Sequence, residues 1–206
     1  MNLERALISV AIGLALSASV VAEILPTSQK GNTWFINAAA QLQQKLSLKS
    51  SDKAKNVILF VGDGMGVSTL TAARILEGQR QGRPGEENLL SFESFPFTTL
   101  VKTYNTDAQV PDSAGTMTAM MSGLKTDAGV LGVDEDVQRG DCSTVAGNEV
   151  VTALELAEIK GLSTGVVTTA RITHATPAAT YAKSAERNWE DISDMPADAV
   201  QAGCKD

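Results

Sequence analysis

Four short stretches carry side chains suited to metal or phosphoryl chemistry. Gly62-Asp63-Gly64-Met65-Gly66 sets a carboxylate among glycines that let the backbone turn sharply and bring other groups close. Such a carboxylate is a hard ligand for Mg2+ or Zn2+, and it is equally at home in a plain turn. Asp112-Ser113-Ala114-Gly115-Thr116 puts a hydroxyl where a helix would begin. Unpaired backbone N–H groups at that end stabilise an alkoxide and attract anions, although Asp and Ser there are also ordinary caps. The elbow pattern G-x-S-x-G is missing, because Pro111 stands where its first Gly belongs. The chain has a single histidine, His174, so a Ser–His couple has little to draw on and a metal ion is the expected activator of Ser113. In Thr173-His174-Ala175-Thr176-Pro177, an extended backbone would turn His174 and Thr176 to one side. A structural histidine in a loop is the alternative. Arg187 is either a surface charge or a guanidinium shaped to clamp phosphate oxygens in pairs.

These residues need elements to hold them. Residues 56–61 (NVILFV) form an apolar, β-branched run that suits a strand buried on both faces of a parallel sheet. Asp63 then lies just past a strand end, where open α/β sheets bind ligands. Residues 98–104 and 164–169 are further strand candidates. Helices are expected over residues 33–46, from Ser68 to Gln79, from Asp112 or Ser113 onward, over 148–160 with Gly161 closing it, and over 178–186. The alternation of helix, glycine and strand argues for an α/β fold, and residues 191–206 are polar without a clear pattern.

The composition excludes some classes. A net charge of −7, a pI near 4.8 and the lack of a Lys/Arg cluster argue against a nucleic-acid partner. Attraction for an anionic substrate must then be local, from metals, a helix N-terminus or one placed Arg. Residues 1–22 have the three parts of a secretory signal peptide: Arg5, a short apolar core, and Val20-Val21-Ala22 before Glu23. An uncleaved anchor or a buried first helix is the alternative. Export would put Cys142 and Cys204 in an oxidising compartment, where a disulfide is reasonable and two separate thiols are not excluded by spacing.

The stretches 56–79, 101–119 and 165–190 resemble the alkaline phosphatase family in motif, order and spacing. The resemblance implies an α/β fold with a mostly parallel central sheet and helices on both faces. It implies phosphate monoester hydrolysis through a phosphoserine at Ser113, with two Zn2+ and one Mg2+. Asp63 matches the carboxylate shared by a Zn2+ and the Mg2+, and Ser113 matches the nucleophile, itself close to metal. Asp112 matches the neighbour that helps hold the phosphate-binding Arg, which is Arg187. His174 and Thr176 match the third-metal region, where some bacterial members carry Asp in place of His174. Cys142 and Cys204 match a pair that forms a disulfide in animal-type members. The resemblance also implies a homodimer at full length and a periplasmic or extracellular location. Family members are much longer, so residues 23–206 read as the N-terminal part of such a domain and the chain by itself as an inactive fragment. A related enzyme such as a sulfatase or phosphodiesterase is a weak rival, because Ala114-Gly115-Thr116-Met117 offers no Arg at the sulfatase spacing. A non-catalytic protein that only binds phosphate or metal is the rival from another class.

Overall fold

Asp112 fixes the best-formed helix near the candidate nucleophile. In the computed structural model, which describes residues 54–206 and Ile36, Ala40, Gln41, Gln43, Gln44 and Ser47, the first helix α1 spans Val67–Arg80 and α2 spans Ser113–Ser122. Asp112 is the N-cap of α2, and its side chain accepts from the Gly115 N–H. Helix α3 is Ala153–Ile159, α4 is the single turn Ala175–Ala178, and α5 is Ala197–Gln201. The six separate positions from Ile36 to Ser47 are helical; the rest of the helix expected over 33–46, and the signal peptide, lie outside the described residues. No described helix is long and apolar enough to cross a membrane.

Two compact units divide the chain. One takes in Arg74–Thr98 with the described residues up to Ile58; the other holds Leu59–Ala73 and Thr99–Asp206. In the second, α2 packs on α4. Ala114, Met117 and Met121 of α2 meet Ala175, Ala178, Ala179 and Leu131, all buried. Alanines on α4 present little bulk, so the methionines, which adapt to irregular gaps, fill the space. A second cluster gathers Val130, Val133, Val137, Ala185, Trp189, Met195 and Ala199, with the Cys142–Cys204 disulfide against it. Full burial of a side chain of the Val or Leu size contributes about 2 kcal/mol before cavity terms.

The segment around Leu131 joins the clusters. Leu131 pairs with Ser184 and Val133 with Glu149 in antiparallel bridges. Gly132 sits between them with φ of +60°, and a Cβ there would fall 2.2 Å from the Ala182 carbonyl oxygen. Only glycine fits so close an approach with that backbone.

Several expected elements differ. Among the described residues these isolated bridges are the only β pairing, and the expected sheet is not formed. The stretches 56–61, 98–104 and 164–169 form no strand and are largely exposed: Phe60 is 90%, Leu100 97% and Val167 100% accessible. A parallel strand gains its ladder bonds only from neighbours on each side, and these stretches have none here. Helix α3 starts later than 148, because the Val150 N–H bonds to the Gly132 carbonyl and the Asn148 carbonyl accepts from Asp134, which keeps 148–150 extended. Over 178–186 the chain leaves the helix after Ala178, as Ser184 pairs with Leu131.

Candidate active site

The N-terminus of α2 delivers Ser113 and Asp112 together. Asp112 Oδ1 accepts from the Gly115 N–H at 3.0 Å and from Asn105 Nδ2 at 2.9 Å. Its Oδ2 accepts from the Gly129 N–H at 2.9 Å and from Arg187 Nη1 at 3.1 Å. Burial pushes this carboxyl up, but the Gly115 N–H, the Arg187 guanidinium and the Asn105 amide together hold it below the usual aspartate value. Asp112 is therefore an anion at neutral pH and a fixed anchor for Arg187.

Arg187 arrives from the other side. Its backbone N–H donates to the Gly129 carbonyl at 2.8 Å, so Gly129 holds both the carboxylate and the arginine that meets it. Gly129 has φ of +87°, which an L side chain adopts only under strain. Arg187 Nη1 also donates to Ser113 Oγ at 3.1 Å, and Nη2 lies 3.4 Å from His174 Nε2. A guanidinium thus stands beside a helix-terminal hydroxyl, which is the arrangement for holding a tetrahedral oxyanion over that oxygen.

His174 continues the chain of contacts. Its Nδ1 is buried with no hydrogen-bond partner and faces Asp63 Oδ2 at 3.8 Å, too far for a hydrogen bond. Thr176 Oγ1 donates to the same Asp63 oxygen at 2.7 Å. Asp63 stays 45% exposed and His174 23%, so the cluster opens to solvent. An orphaned imidazole nitrogen, a carboxylate and a hydroxyl converging from two stretches fit one divalent cation as part of its ligand shell. Among the described residues no group of three His, Cys, Asp or Glu gathers, so these donors would need others to complete that shell.

The six candidate residues, Asp63, Asp112, Ser113, His174, Thr176 and Arg187, therefore form one connected set of contacts in the second unit. Three supporting residues were missed in the sequence: Asn105, Gly129 and Glu190. Asn105 lies inside a stretch of family resemblance, but an amide there suggests a turn. Glu190 receives Arg171 through two nitrogens and the Thr173 hydroxyl at 2.9 Å, so it braces the loop that presents His174. The Arg171 hydrogen bond is the main reason its carboxyl is pushed down to about 2.

Comparison with known proteins extends this local picture. The family profile "Alkaline phosphatase" matches residues 54–206. The tissue-nonspecific alkaline phosphatase of Gallus gallus is 51% identical over 188 residues, covering 90% of this chain and 36% of that protein. The Homo sapiens tissue-nonspecific isozyme is 48% identical over 203 residues, covering 97% and 39% respectively. The crystal structure of a cold-active alkaline phosphatase from Shewanella sp. superposes with a TM-score of 0.52 at 30% identity, over 66% of this chain and 32% of that one. The chain spans less than two fifths of the length of the curated relatives it matches.

Proposed function

Because the chain belongs to the alkaline phosphatase family, close to the animal tissue-nonspecific isozyme, we propose that it carries the nucleophile and phosphate clamp of a phosphate monoester hydrolase. The observation that carries this reading is the position of Arg187 Nη1, 3.1 Å from both Ser113 Oγ and Asp112 Oδ2. Ser113 Oγ forms a bond to phosphorus as the ester oxygen leaves, giving a phosphoserine, and water then releases inorganic phosphate. Arg187 holds non-bridging oxygens of the phosphoryl group, and Asp112 keeps the guanidinium beside the hydroxyl. The first N–H groups of α2 add positive potential at the same point.

Asp63, His174 and Thr176 are the residues that would hold metal, in a centre of two Zn2+ and one Mg2+ completed by ligands beyond this cluster. Bound there, the cations supply Lewis-acid charge that acidifies the serine hydroxyl and neutralises the phosphoryl oxygens. The exposed apolar stretches 56–61, 98–104 and 164–169 are read as strands of a mostly parallel sheet in the whole protein. Export to the periplasm or the cell exterior fits the disulfide between Cys142 and Cys204. A homodimer is the proposed assembly of the full-length protein.

The test uses the protein encoded by the complete reading frame. Ser113→Ala is expected to abolish turnover of a chromogenic phosphate monoester and covalent trapping of labelled phosphate, with the thermal unfolding curve little changed. Label still trapped on the alanine variant would remove Ser113 from its role. Residues 23–206 expressed alone, with Zn2+ and Mg2+ added, are expected to be inactive. Each catalytic zinc needs about three protein ligands, and the chain has one histidine. Metal-dependent turnover by that piece would show that its own residues suffice.

A further inference from the structure

Arg74, Arg139 and Arg171 each meet a carboxylate as a fork. Arg139 contacts Glu186 through Nε at 2.7 Å and Nη2 at 2.9 Å, and Arg171 contacts Glu190 through the same nitrogens at 2.7 and 2.6 Å. Arg74 grips Glu93 through Nε and Nη2 as well. That is the arrangement a planar guanidinium and a carboxylate adopt when nothing competes. Arg187 differs: it reaches Asp112 through Nη1 alone and shares that nitrogen with Ser113.

The reason is on the carboxylate. An ionised carboxyl offers about four lone-pair positions. At Asp112 these are taken by the Gly115 N–H and Asn105 Nδ2 on one oxygen, and by the Gly129 N–H and Arg187 Nη1 on the other. No acceptor is left for a second guanidinium nitrogen. Two of the competitors are backbone groups, fixed by the helix start and by the turn at Gly129. The third is a side chain, Asn105, only 2% exposed. Its backbone N–H donates to the Ala108 carbonyl at 2.9 Å, and its Oδ1 lies 2.9 Å from where a Cβ on Gly115 would be, so its placement is tight.

We propose that Asn105 is a positioning residue: by occupying Asp112 Oδ1 it prevents Arg187 from closing into a fork with Asp112, and so keeps the guanidinium free for phosphate bound over Ser113. The inference rests on the reading of Arg187 as the phosphate clamp. A fork would commit a second nitrogen to Asp112, turn the edge of the guanidinium toward that carboxylate and leave fewer of its five N–H donors aimed at phosphate. Asn105 removes that competition in advance.

The measurement is the inhibition constant of inorganic phosphate, with kcat and KM, for the protein encoded by the complete reading frame. Asn105→Leu keeps the volume and removes the donor; Asn105→Ala removes both. Each is expected to weaken phosphate binding about fivefold, the scale of one net hydrogen bond, and to raise KM more than it lowers kcat. In an Asp112→Asn background, where no carboxylate can capture Arg187, the Asn105 substitutions should leave phosphate affinity unchanged. Thermal unfolding identifies which variants are folded. An unaltered inhibition constant in a folded Asn105 variant would overturn the proposal, as would an equal loss in the Asp112→Asn background. Failure of both Asn105 variants to fold would assign the residue to folding and overturn it too. Arg187→Ala separates the two levels: if it leaves phosphate affinity intact, the clamp reading itself is wrong; if it weakens binding while the Asn105 variants do not, only the positioning role is lost.

Discussion

Glu190 ties down the loop that brings His174 to Asp63. Arg171 and Thr173 both reach it, and Arg171 in turn faces Asp194. Its carboxyl sits at about 2 in the fold against 4.5 as the ordinary value. A folded value below the unfolded one adds stability that is complete above the unfolded value and fades as pH falls through the folded one. Glu190→Gln is therefore expected to lower the urea midpoint at pH 7, with the gap to the unsubstituted protein closing between about pH 4.5 and pH 2. A gap that is constant over that range would mean the loop does not depend on the charge. Residues 63, 112, 113, 174, 176 and 187 stand out in the sequence because each has a chemistry that a motif can display, and the fold brings them into one set of contacts. Asn105 and Gly129 act through one amide and one backbone N–H at Asp112, and their roles exist only once distant turns have folded together.

At the level of elements, α3 shows what a local pattern can and cannot reveal. Thr152 accepts from the Glu155 N–H while the Glu155 carboxylate receives the Thr152 N–H, a reciprocal cap that sets the start of the helix. Thr152 is fully buried. Thr152→Ala should lower stability by about 1 kcal/mol, read as a lower urea midpoint with unchanged slope. A neutral result would mean that Lys183, which also binds Glu155, holds the turn alone. The Thr-x-x-Glu spacing stands in the sequence, yet the expected helix starts at 148, because the pairing of 148–150 with Gly132 and Asp134 is not visible there. The short helix α4 was unreadable for a different reason. Residues 178–186 have helical composition, but Ser184 and Arg187 are drawn away by the backbones of Leu131 and Gly129, about fifty residues earlier in the chain. Helix α2 was plain, since cap, small residues and final glycine all agree.

For the molecule as a whole, the disulfide is the largest single constraint among the described residues. Cys142 and Cys204 are 62 residues apart and lie beside the cluster of Val130, Val133 and Trp189. Closing a loop of that length contributes roughly 4 kcal/mol in the chain-entropy model, less if the native state is strained. Cys204→Ser, or reduction before heating, should lower the melting temperature by several degrees; an unchanged transition would mean that the packing around Met195 and Ala199 suffices alone. The stretches 56–61, 98–104 and 164–169 pull the other way, because exposed apolar side chains such as Phe60, Leu100 and Val167 invite association. The same crosslink also encloses His174 and Arg187 within its loop, while Asp63 and Ser113 stand outside it. A protease that cuts at exposed Arg171 or Tyr181 would split the backbone without separating the pieces. Nicked protein would run as one species on a gel until thiol is added, with His174 and Arg187 still joined covalently to the part of the chain that carries Asp63 and Ser113.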